Sequence, residues 1–264
     1  AVVGDLGARL GVKTLILQNT VLDNIIYPFP VSTDYIAVSG AQVQLLLKQS
    51  GAPQSKILNF GLPIHDDIYR RYSPHSGRLG ESIRVVLATQ PFVQSYDYNR
   101  NLILDFLSAL SKVPVQVKFT IKPHPRESVD VYRNMVDGLE CPKSIIIDVD
   151  GSDNILEMAR GCDLFISRTS TALQSFILLG TLSVSYLNYY PSDICNRLDY
   201  LDSDACIKLF DKRELNDFIR FFISDFKDTY ESFSKSRKLY IDQYVGCFEG
   251  NAAKKISHFM INSL

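Results

Sequence analysis

The stretch from Val115 to Leu187 limits the possible folds more than any other part of the chain. It contains four short apolar runs, which are bounded by turn residues and separated by segments with helical spacing. Runs of this kind are typical of buried parallel strands whose sheet is covered by helices on both faces. The stretch therefore predicts an α/β fold, with strands over residues 115–121, 145–148, 163–167 and 182–186.

Two polar clusters in this stretch each follow a predicted strand. Lys122-Pro-His-Pro-Arg-Glu127 follows the first strand, and Arg168-Thr-Ser-Thr171 follows the third. Ligands of open parallel sheets bind beyond the carboxyl ends of the strands. We therefore expect both clusters to face one crevice, where the imidazole of His124 and the hydroxyl-rich helix start at Ser170 converge on one anion.

The rest of the chain predicts two domains and a helical tail. Further apolar runs and helical patterns predict a partial N-terminal α/β domain over residues 1–75, a second α/β domain over residues 76–211 and C-terminal helices over residues 212–264 that pack across both. The segment from Tyr69 to Glu81 is rich in Arg, Ser, Pro and Gly, which predicts a linker. Because the chain begins at Ala1 inside a predicted helix, we expect a fragment of a longer protein with a truncated first domain.

Composition narrows the class of protein. At 264 residues, 46% hydrophobic and 22% charged, the chain has the composition of a soluble globular protein. Its net charge of −1 gives no electrostatic reason to expect a nucleic-acid partner. The five cysteines form no Cys-x-x-Cys pair, which favours a cytoplasmic location, with peripheral association at the inner face of the cytoplasmic membrane left open. The sequence shows no metal-ligand spacing, so no metal or other cofactor is expected.

The second cluster has the chemistry of a phosphate site. The first backbone N–H groups of a helix are unpaired, and with the hydroxyls of Thr169, Ser170 and Thr171 they suit a phosphate. Arg168 strengthens this interpretation, because a guanidinium group pairs bidentately with phosphate oxygens. Ser and Thr are also the usual helix caps, so without Arg168 the simpler interpretation is that Thr169 or Ser170 only caps the helix.

His124 is the candidate catalytic residue. Pro123 and Pro125 fix its loop at the end of a strand, where an imidazole could donate to a phosphate or to a leaving oxygen. The alternative is a histidine that is hydrogen-bonded within a turn. Lys122 and Arg126 add positive charge at the same strand end and favour contact with a ligand.

Several other polar residues are weaker candidates. Glu157 could accept the hydroxyls of a ribose, although it could also lie on a solvated helix face. Asp66 is expected to be a turn residue or a cap. Tyr189 and Tyr190 are expected in the core or at its rim, and one of them could stack on a base. Gln18 and Asn19, at a strand end of the first domain, could face the crevice from the other side.

The order of short motifs resembles that of a known enzyme family. In chain order the motifs are Gly61-Leu-Pro63, Val86-Leu-Ala-Thr-Gln90, Lys122-Pro-His-Pro125, Asn154-Ile-Leu-Glu157, Cys162-Asp-Leu-Phe-Ile-Ser-Arg-Thr-Ser-Thr171 and Gly180. This order is similar to that in the nucleotide-binding half of GT-B glycosyltransferases of bacterial surface-polysaccharide biosynthesis, including capsule and lipopolysaccharide. The nearest patterns are those of CMP-sugar transferases with HP and SS/T motifs and of CDP-glycerol glycerophosphotransferases. The resemblance covers about residues 56 to 190.

The resemblance implies a GT-B-like fold with two Rossmann-type domains, and it assigns roles to the candidates. His124 and Pro125 would lie at the nucleotide and phosphate of the donor, and His124 would be catalytic. Phosphate-binding residues would be Lys122, Arg168, Thr169, Ser170 and Thr171; nucleotide-binding residues would be Thr89, Gln90, Pro125 and Glu157. The implied donor is a CMP-sugar or CDP-glycerol rather than a UDP-sugar. The implied acceptor is an oligo- or polysaccharide, and Gln18 and Asn19 would lie on the acceptor side. The family's catalytic base lies in an acidic motif of the first domain that has no match in this sequence.

Two alternatives remain open at the level of sequence. A UDP-sugar 2-epimerase would share the two-domain architecture and the His-Pro loop. A non-catalytic nucleotide-binding module of a larger polysaccharide synthase would also fit a truncated first domain.

Overall fold

The computed structural model describes residues 2–18, 33–71, 79–91, 95–152, 154–189 and 203–263. These residues form two compact units. The first contains the described residues up to Arg71 and those from Lys238 onward, and the second contains those from Leu79 to Arg237. Within the described residues, no helix has the length and apolar character needed to cross a membrane.

The first unit contains a small parallel sheet. Its strands pair in chain order and are β1 (Leu15–Leu17), β2 (Tyr35–Val38) and β3 (Ile57–Asn59). The first three helices are α1 (Val2–Leu10), α2 (Ala41–Gln49) and α3 (Pro63–Arg71), with a 3-10 turn at Gln54–Lys56. The apolar face of α2 packs on the sheet, so that the core contains Ile36, Val38, Val43, Leu47 and Ile57.

Helix α3 corrects the predicted linker. Tyr69 to Arg71 form the last turn of this helix, whereas the sequence placed them in the linker. The helix is hard to recognise because its composition is polar, yet His65, Asp66 and Ile68 are buried. The ring of Tyr69 packs edge-on against Phe248, with centroids 5.4 Å apart. Part of the expected linker, residues 72–78, lies outside the described residues.

The second unit contains a six-stranded parallel sheet. Its strands are β4 (Ser82–Ala88), β5 (Gln116–Lys122), β6 (Ile145–Val149), β7 (Leu164–Ser167), β8 (Leu182–Tyr186) and β9 (Cys206–Leu209). They pair in the order β6-β5-β4-β7-β8-β9. This is the Rossmann order, in which the first strand lies at the centre and the chain builds outward on each side of it. The predicted α/β fold with parallel sheets is confirmed.

Helices flank this sheet because their apolar faces complete its core. They are α4 (Ser95–Leu110), α5 (Val129–Asp137), α6 (Ile155–Ala159), α7 (Ala172–Leu178), α8 (Lys212–Ser224) and α9 (Phe226–Tyr240). In α4, Leu102, Ile103, Phe106 and Leu110 recur at helical spacing and are fully buried. The core also includes residues of the C-terminal tail: Leu215, Ile219, Phe222 and Phe233.

The tail then contributes to the first unit. A π-helical turn (Ile241–Val245) follows α9, and the last helix is α10 (Ala252–Ser263). Both carboxylate oxygens of Asp66 accept hydrogen bonds at the start of α10, from the backbone N–H of Ala252 at 2.9 Å and of Ala253 at 2.8 Å. Asp66 is therefore a cap, as expected, but it caps a helix that lies far away in the sequence.

Candidate functional site

The direction in which strands are added to the second sheet reverses at β4. The chain runs from β4 to β5 and β6 on one side and then returns to β7 on the other side. Loops that leave the carboxyl ends of β4 and β7 therefore diverge, and ligands of open α/β sheets bind at this kind of position. The residues that follow these two strands are Thr89 and Gln90 after β4, and Arg168 and Thr169 after β7.

Hydrogen bonds connect the loops that follow β4 and β7. The amide oxygen of Gln90 accepts from the backbone N–H of Thr169 at 3.0 Å, and the amide nitrogen of Gln90 lies 3.2 Å from the hydroxyl of Thr169. At the last residues of the two strands, the hydroxyl of Ser167 donates to the carbonyl of Ala88 at 3.1 Å. The two loops are thus held side by side at the switch point.

Thr89 connects the same place to the loop after β5. Its hydroxyl oxygen accepts from the backbone N–H of His124 at 3.1 Å, and its hydroxyl donates to Glu127. Loops from three adjacent strands, β5, β4 and β7, therefore form one hydrogen-bonded group at the carboxyl edge of the sheet. The structure places the His124 cluster and the Thr169 cluster at this single edge.

Glu127 organises the group, and the sequence analysis gave it no role. Its carboxylate accepts from the hydroxyl of Thr89, from the N–H of His124 at 3.1 Å, from the amide of Asn99 at 3.0 Å and from the hydroxyl of Tyr132 at 2.7 Å. Burial raises the pKa of Tyr132, so this phenol keeps its proton and remains a donor. The available signal was the position of Glu127, three residues after His124, from which a carboxylate can reach back to a backbone N–H.

The electrostatics of His124 favour a neutral donor. Its Nδ1 accepts from the backbone N–H of Arg126 at 3.1 Å, so the neutral ring carries its proton on Nε2. Partial burial lowers the pKa of His124 from its ordinary value, the positive charges of Arg126 and Lys122 lower it further, and Glu127 opposes them. At pH 7 the ring is therefore neutral and carries an Nε2–H that can donate to an anion.

The two predicted phosphate-binding cations, Lys122 and Arg168, are buried. The Lys122 side chain is 5% exposed and donates to the carbonyl of Pro123 at 2.9 Å. Arg168 is 3% exposed, and its guanidinium carbon lies 5.1 Å from the centre of the Tyr98 ring, the geometry of a cation–π contact. Both residues place buried positive charge at the carboxyl ends of their strands, β5 and β7. Their direct contact with a donor phosphate stays a prediction.

Helix α7 starts later than the sequence suggested. The expected start was Thr169, whereas the helix begins at Ala172. The backbone N–H of Thr169, before the helix, donates to the side chain of Gln90. The hydroxyl oxygen of Ser170 accepts from the N–H of Ala172 at 3.2 Å, so Ser170 has a capping contact, while Thr171 is exposed. Phosphate binding by these three hydroxyls stays a prediction.

The remaining nucleotide and acceptor candidates are Glu157, Pro125, Gln18 and Asn19. Glu157 is exposed in the first turn of α6, with its carboxylate 3.8 Å from Arg160, and Pro125 is exposed in the His124 loop. Gln18, in the first unit, is 4% exposed and accepts from the backbone N–H of Ser39 at 2.9 Å. Their predicted roles in binding ribose, nucleotide and acceptor stay predictions. Asn19 and Tyr190 lie outside the described residues.

Tyr189 follows β8 at the same edge of the second sheet. Its φ of 67° is in the left-handed region, which is uncommon for a residue with a side chain. Its hydroxyl lies 3.4 Å from the buried carboxylate of Asp105, which also accepts from the hydroxyl of Tyr186 at 2.8 Å and pairs with Lys212 at 2.8 Å. Tyr189 is therefore attached at its hydroxyl, and 42% of the residue is exposed at the rim.

Across the described parts of the chain, no group of three His, Cys, Asp or Glu side chains is arranged to hold a metal ion. The side chains at the switch point supply hydrogen-bond donors, hydroxyls and buried positive charge.

Comparison with known proteins shows which folds this chain resembles. No protein-family model and no curated protein sequence matches the chain. Solved structures do match. UDP-GlcNAc 2-epimerase from Neisseria meningitidis, bound to UDP-GlcNAc, has a TM-score of 0.68 at 11% identity over 98% of this chain and 72% of that chain. The fold is of the GT-B type.

Two other solved structures illustrate the range of proteins with this fold. MurG from Acinetobacter baumannii has a TM-score of 0.63 at 11% identity, over 98% of this chain and 69% of that chain. A variant of the wall teichoic acid polymerase TagF, soaked with CDPG, has a TM-score of 0.57 at 12% identity, over 92% of this chain and 65% of that chain. At these identities the likeness concerns the fold alone.

Proposed function

We propose that the protein is a metal-independent glycosyltransferase or glycerophosphotransferase, which moves a unit from a cytidine-nucleotide donor to a surface-polysaccharide acceptor. One observation carries this proposal. The loops after β4, β5 and β7 are hydrogen-bonded into one group at the switch point, and His124 there is neutral with its proton on Nε2. The phosphate of a nucleotide substrate bound at this position would meet an N–H group that is already held in place to donate a hydrogen bond.

The mechanism follows from where charge develops. As the transferred unit leaves, negative charge accumulates on the phosphate of the departing nucleotide, and donors fixed in advance stabilise that charge most effectively. His124 would donate through Nε2, and the hydroxyls of Thr169, Ser170 and Thr171 would add further hydrogen bonds. The buried cations Lys122 and Arg168 would stabilise the same charge through their field, without direct contact being required.

The choice of a cytidine donor rests on two supports. One is the order of the motifs, which resembles that of CMP-sugar and CDP-glycerol enzymes. The other is the similarity in fold to TagF, for which a structure soaked with CDPG exists. Calorimetric titration of the chain with CDP, CMP and UDP should show tighter binding of a cytidine nucleotide. Tighter binding of UDP would instead favour a uridine donor.

Replacement of His124 tests the catalytic role. His124→Ala should abolish transfer, measured as release of CMP or CDP in the presence of acceptor, because the Nε2 donor is lost. His124→Gln is the matched control, since its amide nitrogen can occupy the place of Nε2 and should retain part of the rate. Circular dichroism should show the same fold for both variants. Full activity of a folded His124→Ala protein would refute the assignment.

A second candidate function is that of a UDP-sugar 2-epimerase. It is favoured by the similarity in fold to UDP-GlcNAc 2-epimerase from Neisseria meningitidis, with a TM-score of 0.68. An epimerase needs no acceptor, whereas a transferase does. Incubation with UDP-GlcNAc alone, followed by NMR of the sugar, separates the two, because only an epimerase would convert the sugar without a second substrate.

A further inference from the structure

A surface groove of about 470 Å³ lies in the first unit, beside the C-terminal helix α10. This volume falls within the range of roughly 300–1,000 Å³ found for small-molecule sites. Phe60, which directly follows β3, lines one side. The other lining residues recur every three or four positions, so they share one face of the helical segment: Asn251, Lys254, Lys255, His258, Phe259 and Asn262.

Aromatic rings form the apolar part of the groove. The centroid of the Phe259 ring lies 5.8 Å from that of Phe60 and 4.9 Å from that of Tyr35, which it meets edge-on. These contacts hold Phe259 in place, and the residue remains partly exposed. The electron-rich face of an aromatic ring suits the C–H groups on one side of a sugar ring.

Two lysines line the groove with these rings. Lys254 and His258 are exposed, and Lys255 lies beside them on the same helix. The acidic group near the lysines is Glu249, whose carboxylate is 3.5 Å from the ammonium group of Lys255. A hydrogen bond with the thiol of Cys247, at 2.5 Å, raises the pKa of Lys255, so this lysine stays charged. The described residues that line the groove include two lysines and no carboxylate, which leaves an excess of positive charge there.

We propose that this groove binds a sugar ring that carries a carboxylate or a phosphate group. The ring lies against Phe259, and its anionic group pairs with Lys254 and Lys255. The ring hydroxyls meet the side-chain amides of Asn251 and Asn262 at the two ends of the groove. In identifying this sugar as part of the acceptor, the inference rests on the proposed function: the acceptor is then an anionic saccharide.

Titration of the ¹⁵N-labelled full chain, followed by NMR, tests this inference. Glucuronic acid and glucose 6-phosphate supply the two anionic groups, and glucose is the neutral control. The anionic sugars should shift the amide signals of α10 and bind at least about fivefold more tightly than glucose, since one charge-assisted contact is worth about that factor at a partly exposed site. The tighter of the two anionic sugars identifies the preferred group.

Variants localise the binding to the groove. Lys254→Gln should weaken binding of the anionic sugars about fivefold and leave glucose unchanged. Lys48→Gln is the matched control, because Lys48 is an exposed lysine on α2 of the same unit, away from the groove. Phe259→Leu should weaken all three sugars, with thermal unfolding confirming that the variant is folded.

Three outcomes would overturn the inference. They are equal binding of glucose and the anionic sugars, no change in the amide signals of α10 when a sugar is added, and equal effects of Lys254→Gln and Lys48→Gln on binding. Adding CDP to the same sample separates this inference from the proposed function. A response to CDP around His124, with none of α10 to the sugars, refutes the groove alone. A response of α10 to the anionic sugars, with none to CDP, supports the groove and refutes the proposed donor.

Discussion

At the scale of single residues, Glu127 explains how the candidate site keeps its shape. One carboxylate accepts hydrogen bonds from a loop hydroxyl, a loop N–H and two buried side chains, Asn99 and Tyr132. Helices α4 and α5, which carry Asn99 and Tyr132, are thereby attached to the loops of β4 and β5. The position of His124 is a consequence of this arrangement, since its own backbone N–H is one of the four donors.

Replacing Glu127 should therefore weaken both stability and activity. In Glu127→Gln one side-chain oxygen becomes an NH₂ group that faces donors, which leaves buried donors without an acceptor at a cost of about 1–3 kcal/mol. Denaturant unfolding should show this loss, and transfer should fall because the His124 loop is no longer fixed. Glu140→Gln, at an exposed glutamate of the same unit, serves as the control and should change neither quantity. A Glu127→Gln protein with the stability of the parent would show that this network is dispensable.

At the scale of elements, the strands could be predicted because parallel strands are apolar on both faces. The four strands predicted over residues 115–121, 145–148, 163–167 and 182–186 match β5, β6, β7 and β8 to within one residue at each end. Helix α3 was missed because its buried positions include His65 and Asp66, which sequence periodicity treats as polar. The hydrogen bond from the backbone N–H of Thr169 to Gln90, a residue of a distant loop, was missed for a similar reason, since nothing in the local sequence indicates it. Contacts between segments that lie far apart in the sequence could therefore not be predicted from it.

The cap formed by Asp66 gives a prediction at this scale. Asp66→Ala should destabilise α10 by about 1–2 kcal/mol, because two N–H groups at the helix start lose their acceptor and the helix dipole loses its neighbouring charge. Hydrogen exchange should quicken in α10. Asp67→Ala, on the same helix, is the matched control, since the Asp67 side chain is 54% exposed and pairs only loosely with Arg71 at 3.6 Å. Equal exchange rates in the two variants would exclude the capping role.

At the scale of the whole molecule, the two units differ in how the chain builds them. The second unit takes its sheet and core from one continuous region of the described chain, between Leu79 and Arg237. The first unit needs the C-terminal tail. The hydroxyl of Ser39 donates to the carbonyl of Tyr244 at 3.2 Å, and a Cβ at Gly40 would collide with the backbone of Tyr244. The tail therefore packs closely against the loop between β2 and α2.

This difference predicts how fragments of the chain will behave. A fragment of residues 79–237 should fold alone and unfold cooperatively in denaturant, because it retains the six-stranded sheet and its covering helices. A fragment of residues 1–71 should remain unfolded, since the tail that accepts from Ser39 and is capped by Asp66 is missing. Joining residues 238–264 to residues 1–71 through a glycine-rich linker should restore folding of the first unit. Cooperative unfolding of residues 1–71 without the tail would show that the tail contacts are not required, whereas failure of 79–237 to fold would show that the second unit depends on the first.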